Sequence, residues 1–172
     1  MFFNKVANGK KDFLEEFLDL LKKENINYCV IGGLAVNAYA EPVVSLDLDI
    51  VVAVSDLTRL EIILIKKWKL KKDRFSVNIS SPDSDFRIQI QTDERYQEFI
   101  ERAEQQTTLG YELSVASLED VLRGKLWAYA DSERRPSKRQ KDLADVMRLV
   151  ESHPEVLSTP AGKLAKEIIS RR

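Results

Sequence analysis

Cysteine and histidine are almost missing from this 172-residue chain, which carries one of each. A single thiol excludes an intrachain disulfide, and Cys29 falls in the apolar run Tyr28 to Ile31, where it reads as an inert core thiol. The lone His153, next to Pro154, excludes a histidine cluster for zinc and gives no base near the carboxylates discussed below. Charge of one sign is missing too. Lys and Arg total 27 against 28 Asp and Glu, a net charge of -1, so no global field draws the molecule to nucleic acid or membrane. No apolar run is long enough to span a bilayer and the N-terminus has no apolar signal core, which makes the cytoplasm, without membrane association, the expected address. Internal repeats and low-complexity tracts are absent as well.

What is present suits an ordinary folded domain, 44% hydrophobic and 32% charged. The patterning predicts one α/β (α+β) domain over residues 1–172, with a sheet core over about 25–115 and a helical part over 117–172. Asp12 to Lys23 reads as an amphipathic helix with Phe13, Leu14, Phe17, Leu18 and Leu21 on one stripe. Strands are expected over Tyr28 to Ile31, Ser45 to Val54, Phe75 to Ile79, Phe86 to Gln91 and Tyr111 to Val115. Helices are expected over Leu34 to Tyr39, Asp56 to Trp68 behind a Ser55 cap, and Arg95 to Glu104. Three more follow: one from a Ser117/Asp120 capping box to Ala130, one over Lys138 to Val150 after a break at Pro136, and one starting at Thr159-Pro160.

The segment from Cys29 to Val52 carries the most chemistry. Gly32-Gly33 ends an apolar strand, where residues without a Cβ let the chain turn sharply and a ligand come close. The N–H groups of the helix that follows would open onto that turn and suit an anion. In Leu46-Asp47-Leu48-Asp49-Ile50, strand periodicity puts the leucines and isoleucine on one face and both aspartates on the other. At a rise of roughly 3.3 Å per residue the two aspartate Cβ atoms lie about 7 Å apart, close enough for the carboxylates to converge on one Mg²⁺. Each half has a plainer reading. Gly-Gly after a strand is commonly an ordinary turn, and Asp-x-Asp is commonly a solvated sheet face.

Taken in order, Gly32-Gly33-Leu34-Ala35, Glu41-Pro42, and Ser45-x-Asp47-x-Asp49 before Ile50-Val51-Val52 resemble the nucleotidyltransferase superfamily of the polymerase-β type. The resemblance is to the small bacterial branch that includes the AbiEii-like toxins. It extends through Leu118-Glu119-Asp120-Val121-Leu122, Lys125-Leu126-x-Ala128 and Arg139-Gln140-Lys141-Asp142-Leu143-x-Asp145-Val146, roughly Asn27 to Val150. It implies a twisted mixed sheet with flanking helices, an NTP bound with Mg²⁺ (or Mn²⁺), and transfer of an NMP to a hydroxyl acceptor. By the same resemblance Asp47 and Asp49 are metal ligands and catalytic, and Gly32, Gly33, Ser45, Lys125 and Lys141 bind nucleotide.

The chain departs from the family pattern at two places. Val43 stands where an Arg is usual, with Ser45 in place of Thr, and Gln89 stands where the third catalytic carboxylate is expected. A glutamine amide ligates weakly through oxygen but neither neutralises a cation nor accepts a proton. Asp85 or Asp93 would have to substitute, and both also read as surface charges at strand ends. Two basic clusters, Lys66 to Arg74 and Arg134 to Lys141, read as solvated connections, the second also as a surface for NTP phosphates or an RNA acceptor. Lys125, inside an apolar helical stretch, either snorkels beside the core or reaches the triphosphate. Two functions follow from the resemblance: an active nucleotidyltransferase, acting on tRNA or protein as the toxin of a pair with a cognate antitoxin, or a degenerate relative that acts as a nucleotide-binding or regulatory/interaction module without transfer.

Overall fold

The computed structural model describes residues 12–108 and 110–171. The stretch read above for a signal core lies largely outside the described residues. In chain order the elements are α1 (Phe13–Lys23), β1 (Tyr28–Ile31), α2 (Gly32–Tyr39), β2 (Asp47–Val52), α3 (Val54–Leu64), β3 (Lys69–Asp73), β4 (Ser76–Ser80) and β5 (Arg87–Gln91). They continue with a 3-10 turn (Glu94–Tyr96), α4 (Glu98–Glu101), β6 (Glu104–Thr108), β7 (Tyr111–Val115), α5 (Leu118–Ala130), α6 (Pro136–Ser152), a 3-10 turn (Pro154–Ser158) and α7 (Pro160–Ser170). Among the described residues, no helix is long and apolar enough to cross a membrane.

The strands form one seven-stranded mixed sheet in the order β3-β4-β5-β2-β1-β7-β6. β2 runs parallel to β5 and β1 parallel to β7, while the other neighbours are antiparallel. Register across the middle of the sheet separates two chemistries. Leu48, Ile88 and Ile79 form one row, and Ile50, Ile90 and Val77 the next; all six are buried on the apolar face. The alternate rows, Asp47-Arg87-Ser80 and Asp49-Gln89-Asn78, are polar and point to the other face. Burying each aliphatic side chain of the apolar rows contributes about 1.5–3 kcal/mol, which fixes the register and with it the polar rows.

Several expected boundaries shift, each for a physical reason. The Gly-Gly pair is the first turn of α2 itself, since Ile31 is the N-cap residue and no side chain caps that end. Ser55 is not the cap of α3: Ala53 holds that position, and the Val54 N–H donates instead to the distant Gln97 side chain. The capping box at α5 is half made. Ser117 accepts from the Asp120 N–H, but the Asp120 carboxylate is drawn to Arg102 and Arg123. Pro136 starts α6 at its first turn, where its missing N–H costs nothing. The helix expected over Arg95 to Glu104 is a 3-10 turn and one turn of α4, after which Glu104 opens a strand.

The first basic cluster is not a loop. Lys69 to Asp73 is the edge strand β3, paired along its length with β4. Lysines on the open side of an edge strand discourage pairing with other chains. Neighbouring Lys67 reaches Glu16 at 2.8 Å, and Lys72 pairs with Glu61.

Candidate active site

The polar face of β2 and β5 is one wall of a cavity of about 310 Å³. Asp47, Asp49, Arg87, Gln89 and Asn78 line it from the sheet, and Ile31 and Gly32 from the β1–α2 junction. Opposite stand Asp120, Gly124 and Lys125 of α5, and Arg134, Lys138 and Asp142 at the start of α6. Tyr96 closes one side. Residues far apart in sequence therefore converge where β2 and α2 meet the helical part.

Gly32 is what lets Asp49 sit here. Its φ is +69°, a region costly for any residue with a Cβ. Its missing side chain leaves room for the Asp49 carboxylate, which occupies the space a Cβ would take. Gly33 carries no such constraint, since a Cβ there would meet the Ser45 Oγ at an ordinary 3.6 Å. Ser45 itself serves the backbone: its Oγ donates to the Asp47 carbonyl at 3.2 Å and accepts from the Asp47 N–H.

The two aspartates differ in surroundings. Asp47 is more open, with the Arg87 guanidinium 3.8 Å from its carboxylate, a weak pair at such exposure. Asp49 has no hydrogen bond or ion pair among the described residues, although it faces a cavity walled by cations. Burial pushes its carboxyl up from 3.8 to about 6; Lys125 pulls against that rise, Asp47 adds to it, and Arg134 and Lys138 pull it down. An unpartnered carboxylate beside a second one favours a hard cation bound through oxygen. Among the described residues no group of three or more His, Cys, Asp and Glu side chains is arranged to hold a metal, so this pair would need ligands from substrate or water.

Gln89 lies beside Asp49 in register on β5, at the position anticipated for it. Neither proposed stand-in reaches the cavity. Asp85 is exposed outside it, and Asp93 accepts from both the guanidinium and the backbone N–H of Arg95, which hold its carboxyl below the usual range. Two further carboxylates, quoted above in the helical motifs but not as site residues, do line the cavity, and both are already neutralised. Asp120 is held by Arg102 and Arg123, and Asp142 accepts from Lys125 at 3.1 Å and from Arg134 at 2.6 Å.

Lys125 is neither simply snorkelling nor free. Its Nζ lies between Asp142 and Asp145, at 3.1 and 2.7 Å, with its side chain 9% exposed at the cavity wall. Of the second basic cluster, Lys138 and Arg134 line the cavity. Arg139 turns away to the Tyr129 carbonyl and ring, and Lys141 is exposed outside the lining. The converging cations Arg134 and Lys138 belong to the basic cluster that the sequence offered as a surface for NTP phosphates.

No curated protein matches the chain. In fold the chain is similar to the antibiotic-resistance factor ANT(2'')-Ia, at 13% identity and TM-score 0.62, over 92% of this chain and 90% of that one. It is also similar to the lincomycin-bound lincosamide antibiotic adenylyltransferase LnuA, at 12% identity and TM-score 0.56, over 81% and 98%. A third likeness is to an antigenic nucleotidyltransferase-like protein from Paracoccidioides brasiliensis, at 16% identity and TM-score 0.58, over 98% and 87%. The family model described as "Nucleotidyl transferase AbiEii toxin, Type IV TA system" matches residues 65–172, a span that includes Gln89, Lys125 and Asp142 and begins after β2. The chain belongs to the AbiEii nucleotidyltransferase family.

Proposed function

We propose that this protein transfers an NMP from an NTP to a hydroxyl acceptor, and that Asp47 and Asp49 are the residues that would hold one Mg²⁺ (or Mn²⁺) with the triphosphate. The observation that carries the reading is the unpartnered Asp49 carboxylate against Gly32, facing Lys125, Arg134 and Lys138 across one cavity. Bound there, the ion would neutralise triphosphate oxygens and polarise the α-phosphate. The first N–H groups of α2, an end that no side chain caps, would suit phosphate oxygens. Lys138 and Arg134 face the same space and suit the negative charge of the leaving pyrophosphate.

The transfer balances simply. The acceptor oxygen forms a bond to the α-phosphorus, the bridge from α-phosphorus to the β-phosphate oxygen breaks, and pyrophosphate leaves with the electron pair. Gln89 accepts no proton and Asp120 and Asp142 are held by cations, so the hydroxyl proton passes to water in the open cavity. A tRNA or protein hydroxyl is the proposed acceptor, and the family's description as a toxin of a two-component system supports a cognate antitoxin as partner.

One observation favours a second reading. With Gln89 neutral beside Asp49, the cavity retains the groups that bind a metal-nucleotide complex but lacks a third free carboxylate. A nucleotide-binding module without transfer fits that composition. Incubation with α-labelled NTPs, Mg²⁺, and total tRNA or cell extract separates the two. Label in the acceptor fraction, lost in Asp47→Asn/Asp49→Asn, supports transfer, whereas nucleotide-dependent thermal stabilisation without label transfer supports the binding module.

A further inference from the structure

We infer that Arg148 and Asn37 are positioning residues for the aspartate-bearing strand β2, acting through the segment 40–46. The inference rests on the reading that Asp47 and Asp49 hold the divalent ion. The segment joining α2 to β2 has no regular structure, and Val43, Val44 and Leu46 are 52%, 62% and 40% exposed, so apolar burial does not fix it. Hydrogen bonds do.

Asn37, buried on α2, clamps the segment with both ends of its amide. Nδ2 donates to the Val43 carbonyl at 2.7 Å, and Oδ1 accepts from the Val43 N–H at 3.0 Å. This pairing imitates one rung of an antiparallel ladder. Arg148 of α6 secures the clamp from the other side. One guanidinium nitrogen, Nη2, donates to Asn37 Oδ1 at 3.3 Å and to the Glu41 carbonyl, while Nη1 donates to Asp145 Oδ1 at 2.8 Å.

The same Asp145 carboxylate lies against Lys125 through its other oxygen. One buried carboxylate thus braces the cavity-wall lysine and, through Arg148, the approach to Asp47. Ser45 completes the path by tying its Oγ to the Asp47 backbone. A planar guanidinium reaches these partners together, and a lysine ammonium does not. The α6 helix therefore braces the chain leading into β2, and with it the Asp47 carboxylate on the strand's first residue, within the register that apolar burial fixes.

The test compares wild type with Arg148→Lys, which keeps a cation beside Asp145, and with Asn37→Ala, which leaves the buried charges intact. Two quantities are read: amide exchange of Val43 in metal-free protein, and Mn²⁺ affinity by electron paramagnetic resonance with the metal alone. The inference expects both variants to speed Val43 exchange and to weaken Mn²⁺ about tenfold, the size of an outer-shell effect, while core amides such as Ile88 exchange as in wild type. Faster Val43 exchange with unchanged Mn²⁺ affinity overturns it, as does unchanged Val43 exchange. Mn²⁺ binding that is lost in Asp47→Asn/Asp49→Asn but normal in Arg148→Lys and Asn37→Ala overturns this inference alone. No Mn²⁺ binding by wild type overturns the metal reading and this inference together.

Discussion

Gly32 and Asp49 share one small volume: a Cβ built on Gly32 would lie 3.0 Å from the Asp49 Cβ and 3.1 Å from its Cγ, and would overlap a carboxylate oxygen. Gly32→Ala meets this overlap and a left-handed backbone together. The backbone alone costs about 1–2 kcal/mol, and Asp49 must move to relieve the rest. We predict a loss of stability of at least that size in a urea melt and loss of Mn²⁺ binding. Gly33→Ala is the control: its Cβ would make ordinary contact with Ser45 in a helical backbone, so it should lose no stability and keep Mn²⁺ binding.

Lys125 supports two buried carboxylates. Lys125→Met leaves Asp142 with Arg134 and Asp145 with Arg148, so both charges keep one partner. The expected destabilisation is therefore near the low end for a broken buried pair, about 3 kcal/mol, measured by chemical denaturation. Because Lys125 holds the Asp49 carboxyl down against the effect of burial, the variant should also need a higher pH to bind Mn²⁺.

The raised Asp49 carboxyl gives the stability of the ion-free protein a definite slope. Between its ordinary 3.8 and about 6, the folded protein keeps a proton that the unfolded chain has released. Protons bound by the native state exceed those of the unfolded state there, so the Asp49 contribution is greatest at low pH, falls as pH rises through that window, and levels above it. Asp56 and Asp93, with lowered pKa values, slope the opposite way: their contribution is present above the ordinary carboxylate value and is lost as pH falls below it. Urea melts from pH 4 to 7 on wild type and Asp49→Asn should differ by a curve that declines with pH over the Asp49 window.

On the proposed reading, the neutral Gln89 limits how many ions the cavity would hold. Gln89→Asp places a third carboxylate in register beside Asp49. We predict that it raises the Asp49 pKa further, by like charge, and increases the Mn²⁺ bound per chain. If the neutral amide is what limits transfer, the same variant should raise label incorporation.

How far the sequence carried depended on where a strand buries one face and keeps the other polar. The apolar rows through Leu48, Ile50, Ile88 and Ile90 impose strict alternation, so β2, β5 and the placement of Asp47, Asp49 and Gln89 on one face were legible. Strands β3 and β6 were not. They are the two edges of the sheet, and Lys69 to Asp73 and Glu104 to Thr108 expose most of their side chains, so little alternation is written into them. The start of α3 was hidden for another reason. Its first N–H is satisfied by Gln97, more than forty residues away, and no local cap signals it. The far wall was legible only in part: the basic cluster holding Arg134 and Lys138 read as a phosphate surface, but the ion pairs that occupy Asp120 and Asp142 come from how α5 and α6 pack and have no local signal.

The central claim is that Asp47 and Asp49 hold a metal-nucleotide complex in this cavity. It is tested most directly by counting Mn²⁺ bound per chain, by electron paramagnetic resonance, with a non-hydrolysable NTP analogue present. The account predicts one ion per wild-type chain, with affinity enhanced by the analogue and abolished in Asp47→Asn/Asp49→Asn. Binding unchanged in that double variant, or no binding by wild type with any of the four NTP analogues, would contradict it.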